Sequence, residues 1–167
     1  MTRRKSLFSL DSASLDPSVH AFRALLLVSH RLKTLMDVQL RPDGLTTMQA
    51  AALTAVITLG SPSLTELAEA LGTTRQNTAQ LIGPLKRKGL IRIDLDPTDG
   101  RRKRMVATEH SATYWAQRDD SDLAAVRSWF SPLTATELDT LNALVRRVLD
   151  GVERNAPDVN SAPDQPA

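Results

Sequence analysis

Four side chains with donors and acceptors suited to base edges, Arg75, Gln76, Asn77 and Gln80, fall within six residues of one another. Asn and Gln pair in two places with adenine, and Arg with guanine. Each good bidentate pair supplies ~1–3 kcal/mol of discrimination between bases. Further along, Asp99, Arg101, Arg102, Lys103 and Arg104 stand at and beyond the turn Pro97-Thr-Asp-Gly100. Arginine suits a narrow minor groove, where the negative potential is enhanced. If a strand begins after the turn, Lys103 and Arg104 alternate faces, and only one of them can point at DNA. The chemistry of both groups is hydrogen bonding and charge rather than bond making.

The elements that must position these residues are legible around them. Ser63-x-x-Glu66 is a capping box, which opens a short helix over 64–71. Gly72 suits the position just past its end, where a left-handed backbone is needed. A second helix runs from Thr74 to Lys88 and stops at Gly89. With Leu81, Ile82 and Leu85 as its buried face, the four polar residues lie on the other side, near the N-terminus. Thr73 or Thr74 caps it. Such a hydroxyl, with the free N–H groups beside it, can also meet a phosphate. A basic hairpin follows over 92–108. A helix, a tight turn, a second helix and a basic hairpin can hold DNA in two grooves at once.

The bulk properties narrow the choice. A chain of 167 residues is expected to form one domain with a real core. It is rich in Leu and Ala, both good helix formers. It contains no cysteine, which excludes disulfides, thiolate metal sites and cysteine redox sensing. No apolar run is long enough to cross a bilayer. The start, Met1-Thr-Arg-Arg-Lys5, is basic, but Ser6-Leu-Phe-Ser-Leu10 after it is too short and polar for a signal peptide. A cytoplasmic protein without a membrane partner is the expectation. Net charge is only +2, yet its distribution is uneven. Between 86 and 104 eight basic residues (Lys86, Arg87, Lys88, Arg92, Arg101, Arg102, Lys103 and Arg104) face three acids, a local +5. From 150 onward the balance is −3. A basic stripe in a near-neutral protein is the footprint of phosphate binding.

The rest of the chain reads as helix. Asp16-Pro17 starts a long one, with Asp as cap and Pro at the first helical position. Its apolar stripe (Val19, Phe22, Leu25, Leu26, Leu32, Leu35, Met36 and Leu40) ends at Pro42-Asp43-Gly44. Thr46-x-x-Gln49 reads as a capping box for a helix over about 47–58. After the hairpin, Thr108 caps a helix reaching about Phe130. Thr134-x-x-Glu137 opens a last one, with a stripe of Leu138, Leu141, Leu144, Val145, Val148, Leu149 and Val152. The expectation is therefore mainly α: about six helices plus one β-hairpin. Residues 1–14 are expected to form a flexible arm, 15–154 the folded domain with a DNA-binding lobe over about 45–108, and 155–167 a disordered tail. Long apolar stripes on the terminal helices call for a partner. The economical one is a second copy related by a twofold axis.

The chain resembles the MarR family of bacterial winged helix-turn-helix regulators, over about 16–150. The resemblance rests on Leu45-Thr-Thr-Met-Gln49, Leu64-Thr-Glu-Leu-Ala68, Leu85-Lys-Arg-Lys-Gly-Leu-Ile91, Asp96-Pro-Thr-Asp-Gly-Arg-Arg102 and Met105-Val-Ala-Thr-Glu109. The family's Asp-x-Arg-Arg wing signature falls on Asp99, Arg101 and Arg102. The resemblance implies a homodimer built from the first, fifth and sixth helices, each subunit presenting one recognition helix and one wing. It implies a repressor of nearby genes, released from a pseudo-palindromic operator by a small-molecule effector. It also implies that Asp99 pairs with one of the wing arginines and orders the loop. Two features depart from the family. Gly83-Pro84 lies inside the recognition helix and is expected to kink or tighten it, since an interior proline costs ~3 kcal/mol. Glu109-His-Ser111 replaces a glycine-containing turn before the fifth helix.

Other chemistry finds little purchase. His20 and His30 lie ten residues apart, about 280° around one helix, so they share no face. With no cysteine to add, neither a metal site nor any cofactor is expected. Trp115, Trp129, Met36 and Met48 suit either an effector pocket or the core, so the effector site stays unassigned. There is no nucleophile–base pair, glycine-rich phosphate loop or pair of catalytic carboxylates, so an enzyme is not expected. A winged helix that docks protein instead of DNA is the competing reading. The polar recognition face and the wing arginines argue against it, because a docking face should be more apolar.

Overall fold

In the computed structural model, residues 16–155 are described. The expected arm over 1–14 and all but the first residue of the expected tail over 155–167 lie outside them. The chain divides into two units at Thr47/Met48.

The first unit is dominated by α1, Pro17–Leu40, capped by Asp16, whose carboxylate accepts from the Ser18 N–H at 2.8 Å. A single 3-10 turn, Arg41–Asp43, follows, and Gly44 reverses the chain at φ 60°. The reversal brings Thr47 back to α1. There Asp37 Oδ1 accepts from both the Thr47 N–H and the Thr47 hydroxyl, each at 2.7 Å. Lys33 closes the same group from one turn earlier, 2.8 Å from the other Asp37 oxygen. Helix α2, Thr47–Leu59, thus begins on an acceptor lent by another helix. Along α1, Phe22, Leu26, Val28 and Val38 are exposed.

The second unit holds the rest of α2, then α3 (Leu64–Ala70), α4 (Arg75–Arg87), strands β1 (Ile91–Leu95) and β2 (Lys103–Ala107), α5 (Glu109–Phe130) and α6 (Ala135–Asn155). Each helix begins where the sequence supplies an acceptor. At α3 the capping box is complete: Glu66 N–H donates to Ser63 Oγ at 3.3 Å, and Ser63 N–H to Glu66 Oε2 at 2.7 Å. Thr134 and Glu137 make the same exchange ahead of α6. Thr108 caps α5 through the Ser111 N–H, so the chain enters this helix without the glycine turn. The β-strands form a two-stranded antiparallel hairpin with Ile93 opposite Met105 and Asp94 opposite Arg104. The core joins Ala52, Leu53 and Val56 of α2, Leu67 and Ala68 of α3, Ile82 and Leu85 of α4, and Leu90, Ile91 and Met105 at the hairpin base. Met105 N–H also donates to the Pro62 carbonyl at 2.9 Å, stitching β2 to the chain just before α3.

The fold is the expected mainly α winged helix-turn-helix: six α-helices, the 3-10 turn and one hairpin among the described residues. The last helix extends through Asn155, one residue beyond the expected limit. On α6, Leu144, Val148, Leu149 and Val152 are exposed. Among the described residues no single helix is long and apolar enough to cross a membrane.

Candidate nucleic-acid interface

The turn between α3 and α4 fixes α4, the helix expected to carry the recognition residues. Gly72 sits at φ 60°, a backbone that a side chain would strain. Thr73 N–H returns to the Ala68 carbonyl at 3.0 Å and closes the end of α3. Thr74, and not Thr73, is the cap of α4, accepting from the Asn77 N–H at 3.2 Å. Thr73 is used differently: its hydroxyl oxygen lies 3.3 Å from the Asn77 side-chain amide, which it holds near the helix N-terminus.

On α4 the buried side is Thr78, Ile82 and Leu85, with Leu81 half-buried. Arg75, Gln76, Asn77 and Gln80 are all exposed. Thr78 joins the buried face although the apolar pattern does not include it. Its hydroxyl donates to the Thr74 carbonyl at 2.9 Å, which satisfies the polar atom inside the helix. Gly83-Pro84 leaves the helix unbroken from Arg75 to Arg87. Pro84 cannot donate to the Gln80 carbonyl, but its own carbonyl accepts from the Lys88 N–H at 3.0 Å, so the pattern resumes at once.

The wing loop is built on Asp96, a carboxylate that is only 5% exposed. Its Oδ1 accepts from the Thr98 hydroxyl at 2.7 Å, the Thr98 N–H at 2.8 Å and the Asp99 N–H at 3.3 Å. Its Oδ2 accepts from Arg104 Nε at 2.7 Å. Asp96 N–H donates across the loop to the Arg102 carbonyl at 2.8 Å. The Thr98 hydroxyl, then the Thr98 N–H, then Arg104 hold this carboxyl far below the usual carboxylate range. Asp96 is the site residue that sequence reasoning missed. A signal existed, since an Asp followed two residues later by Thr is the pattern of a side chain that caps its own turn.

Asp99 orders the tip. It lies 3.2 Å from Arg102 Nε, and its side chain accepts from the Arg101 N–H at 3.1 Å. The arginine engaged by Asp99 is thus Arg102, itself exposed, as are Arg101 and Lys103. Arg104 is half-buried on the hairpin, with Nε on Asp96 and Nη1 on Glu66 Oε2 at 2.8 Å. The recognition face and the wing tip are therefore two exposed basic and polar groups held by one lobe.

Residues 43–102, which hold this lobe up to the wing tip, match the sequence model of the MarR family. Over this stretch, just over a third of the chain, the sequence is similar to the MarR family. Solved structures share the fold at low identity. A MarR protein from Peptoclostridium difficile superposes with a TM-score of 0.75 at 20% identity, over 86% of this chain and 92% of that one. A MarR variant from Escherichia coli complexed with operator DNA gives 0.72 at 22%, over 79% and 95%. The PcaV regulator of Streptomyces coelicolor, complexed with its natural ligand, gives 0.66 at 24%, over 83% and 97%. Among curated proteins none matches the sequence.

Proposed function

We propose that this chain is a sequence-specific, DNA-binding transcription regulator of the MarR family that acts as a homodimer on a pseudo-palindromic operator. The observation that carries the reading is the pairing, on one lobe, of the exposed row Arg75, Gln76, Asn77 and Gln80 with a wing whose Arg101 and Lys103 face solvent. The row sits on the first turns of α4, the end of a recognition helix that contacts base edges. Thr74 occupies the Asn77 N–H, and the Arg75 and Gln76 N–H groups ahead of it are the ones a phosphate would meet. Arg101 has the reach and charge for the adjoining minor groove. Asp99, Arg102 and Arg104 shape the wing that carries it.

The chain is a repressor in this reading, and a small molecule releases it. The Escherichia coli structure holds operator DNA and PcaV holds its natural ligand, so the shared fold accommodates both kinds of partner. With no cysteine in the chain, any effector is sensed by binding rather than by thiol oxidation. The cytoplasm is where such a protein meets its operator.

The test is a titration of the purified protein with its own upstream DNA at two salt concentrations, against random competitor. Tight, competitor-resistant and salt-sensitive binding supports the reading. Binding no tighter than to random DNA, upstream and in a genome-wide pull-down alike, overturns it in favour of a protein-docking winged helix.

A further inference from the structure

Arg104 lies in the basic stripe, and its place in the sequence suggests one more contact to DNA. Its surroundings suggest another task. The guanidinium bridges two carboxylates from different elements, Asp96 at the head of the wing loop and Glu66 in the first turn of α3. Both ends are themselves anchored. Glu66 Oε2 also accepts from the Ser63 N–H, so it belongs to the capping box of α3. Asp96 gathers Thr98 and the Asp99 N–H, and through the Arg102 carbonyl it spans the loop. A continuous polar chain therefore runs from the N-terminus of α3, through Arg104, to the backbone of the wing tip.

We infer that Arg104 is a positioning residue and not a DNA contact: it ties the wing to the N-terminus of α3 and so sets where Arg101 and Lys103 stand relative to α4. The inference rests on the DNA-binding reading above. Three features of the site argue for it. The charge of Arg104 is already met by two carboxylates, so little is left to attract a phosphate. The planar fork of arginine uses separate nitrogens for the two partners, which an ammonium cannot reproduce. And β2 is joined to the same region a second time, by the Met105 N–H to the Pro62 carbonyl, so the tie has only the loop beyond it to control.

The experiment compares Arg104→Gln, Arg104→Lys and Arg101→Ala for operator affinity across a salt series, with amide hydrogen exchange of the free proteins. Arg104→Gln should weaken binding several-fold and leave the salt slope unchanged. The loss is partial because Glu66 is half exposed and water competes for it. Arg104→Lys should not rescue affinity, although it restores the charge. Arg101→Ala should flatten the slope by about one unit, as loss of a phosphate contact does. In the free protein, the amides of Thr98, Asp99 and Arg102 should exchange faster in Arg104→Gln and as in wild type in Arg101→Ala. A slope change in Arg104→Gln equal to that of Arg101→Ala, or full rescue by lysine, would make Arg104 a phosphate contact and overturn the inference. So would unaltered exchange at those amides. Wild-type protein without specific, salt-dependent binding would instead sink the DNA-binding reading, and the exchange data would still decide whether Arg104 orders the wing.

Discussion

Gln76 and Arg101 are both exposed, yet their loss should read out differently. Gln76 stands on the first turns of α4, where in the proposed complex a bidentate pair to a base edge would distinguish sequences. Gln76→Ala should lower the ratio of operator to random-DNA affinity by roughly 5- to 150-fold, which is ~1–3 kcal/mol, with the salt slope intact. A competition titration measures it; equal loss on both DNAs would move Gln76 from base reading to backbone contact. Both residues were legible in the sequence because each sits on a local feature, a capped helix start and an Asp-x-Arg-Arg turn. Asp96 and Arg104 were not legible in the same way. The partner that explains Arg104 is Glu66, 38 residues earlier, and only the packed lobe brings it within 2.8 Å. Sequence alone placed Arg104 in the DNA-binding wing and left open which of Lys103 and Arg104 points at DNA.

At the scale of the element, helix limits agree with the sequence to within a residue or so, because caps are local. The capping boxes at Ser63 and Thr134 form as their spacing requires. The start of α2 shows the limit of local reasoning. Its Thr47 N–H is satisfied by Asp37 on α1, ten residues away, an acceptor that no capping motif identifies. Lys33 first, and then the Thr47 N–H, lower the pKa of Asp37 from its ordinary 3.8 to about 2. A carboxylate with a depressed folded pKa contributes stability that is fully present above the unfolded value and lost as pH falls toward the folded one. Between about pH 4 and pH 2 stability should therefore fall in wild type and fall less in Asp37→Asn, as read by chemical unfolding across that range. Parallel curves would show that Asp37 does not carry this dependence. Gly83 supplies a second test. A Cβ there would meet only the Arg87 guanidinium, at an ordinary 3.6 Å, and its φ is not positive. Gly83→Ala should raise stability by roughly 0.5–1 kcal/mol in a thermal or denaturant melt, because glycine inside a helix costs about that much. A loss of stability would mean that the Gly-Pro pair holds a bend that α4 needs.

For the whole molecule, the apolar faces of α1 and α6 are the feature that one chain leaves unexplained. Phe22 is 61% exposed on α1, and Leu149 and Val152 are 53% and 59% exposed on α6. Apolar stripes of this length are ordinarily covered, and in the homodimer proposed above a second copy would cover them symmetrically. Leu149→Glu should give a monomer by sedimentation, with operator affinity greatly reduced because two half-sites are no longer held together. A Leu149→Glu dimer would move the interface away from α6. The central claim, that α4 and the wing of each subunit grip one operator together, is tested most directly by a hydroxyl-radical footprint of wild type beside Arg101→Ala. Two protected half-sites are expected, with centres about 10 bp apart or a multiple of that, each flanked by minor-groove protection that Arg101→Ala removes while the protection at the centre of each half-site persists. A footprint without twofold symmetry, or one that Arg101→Ala leaves unchanged, would contradict it.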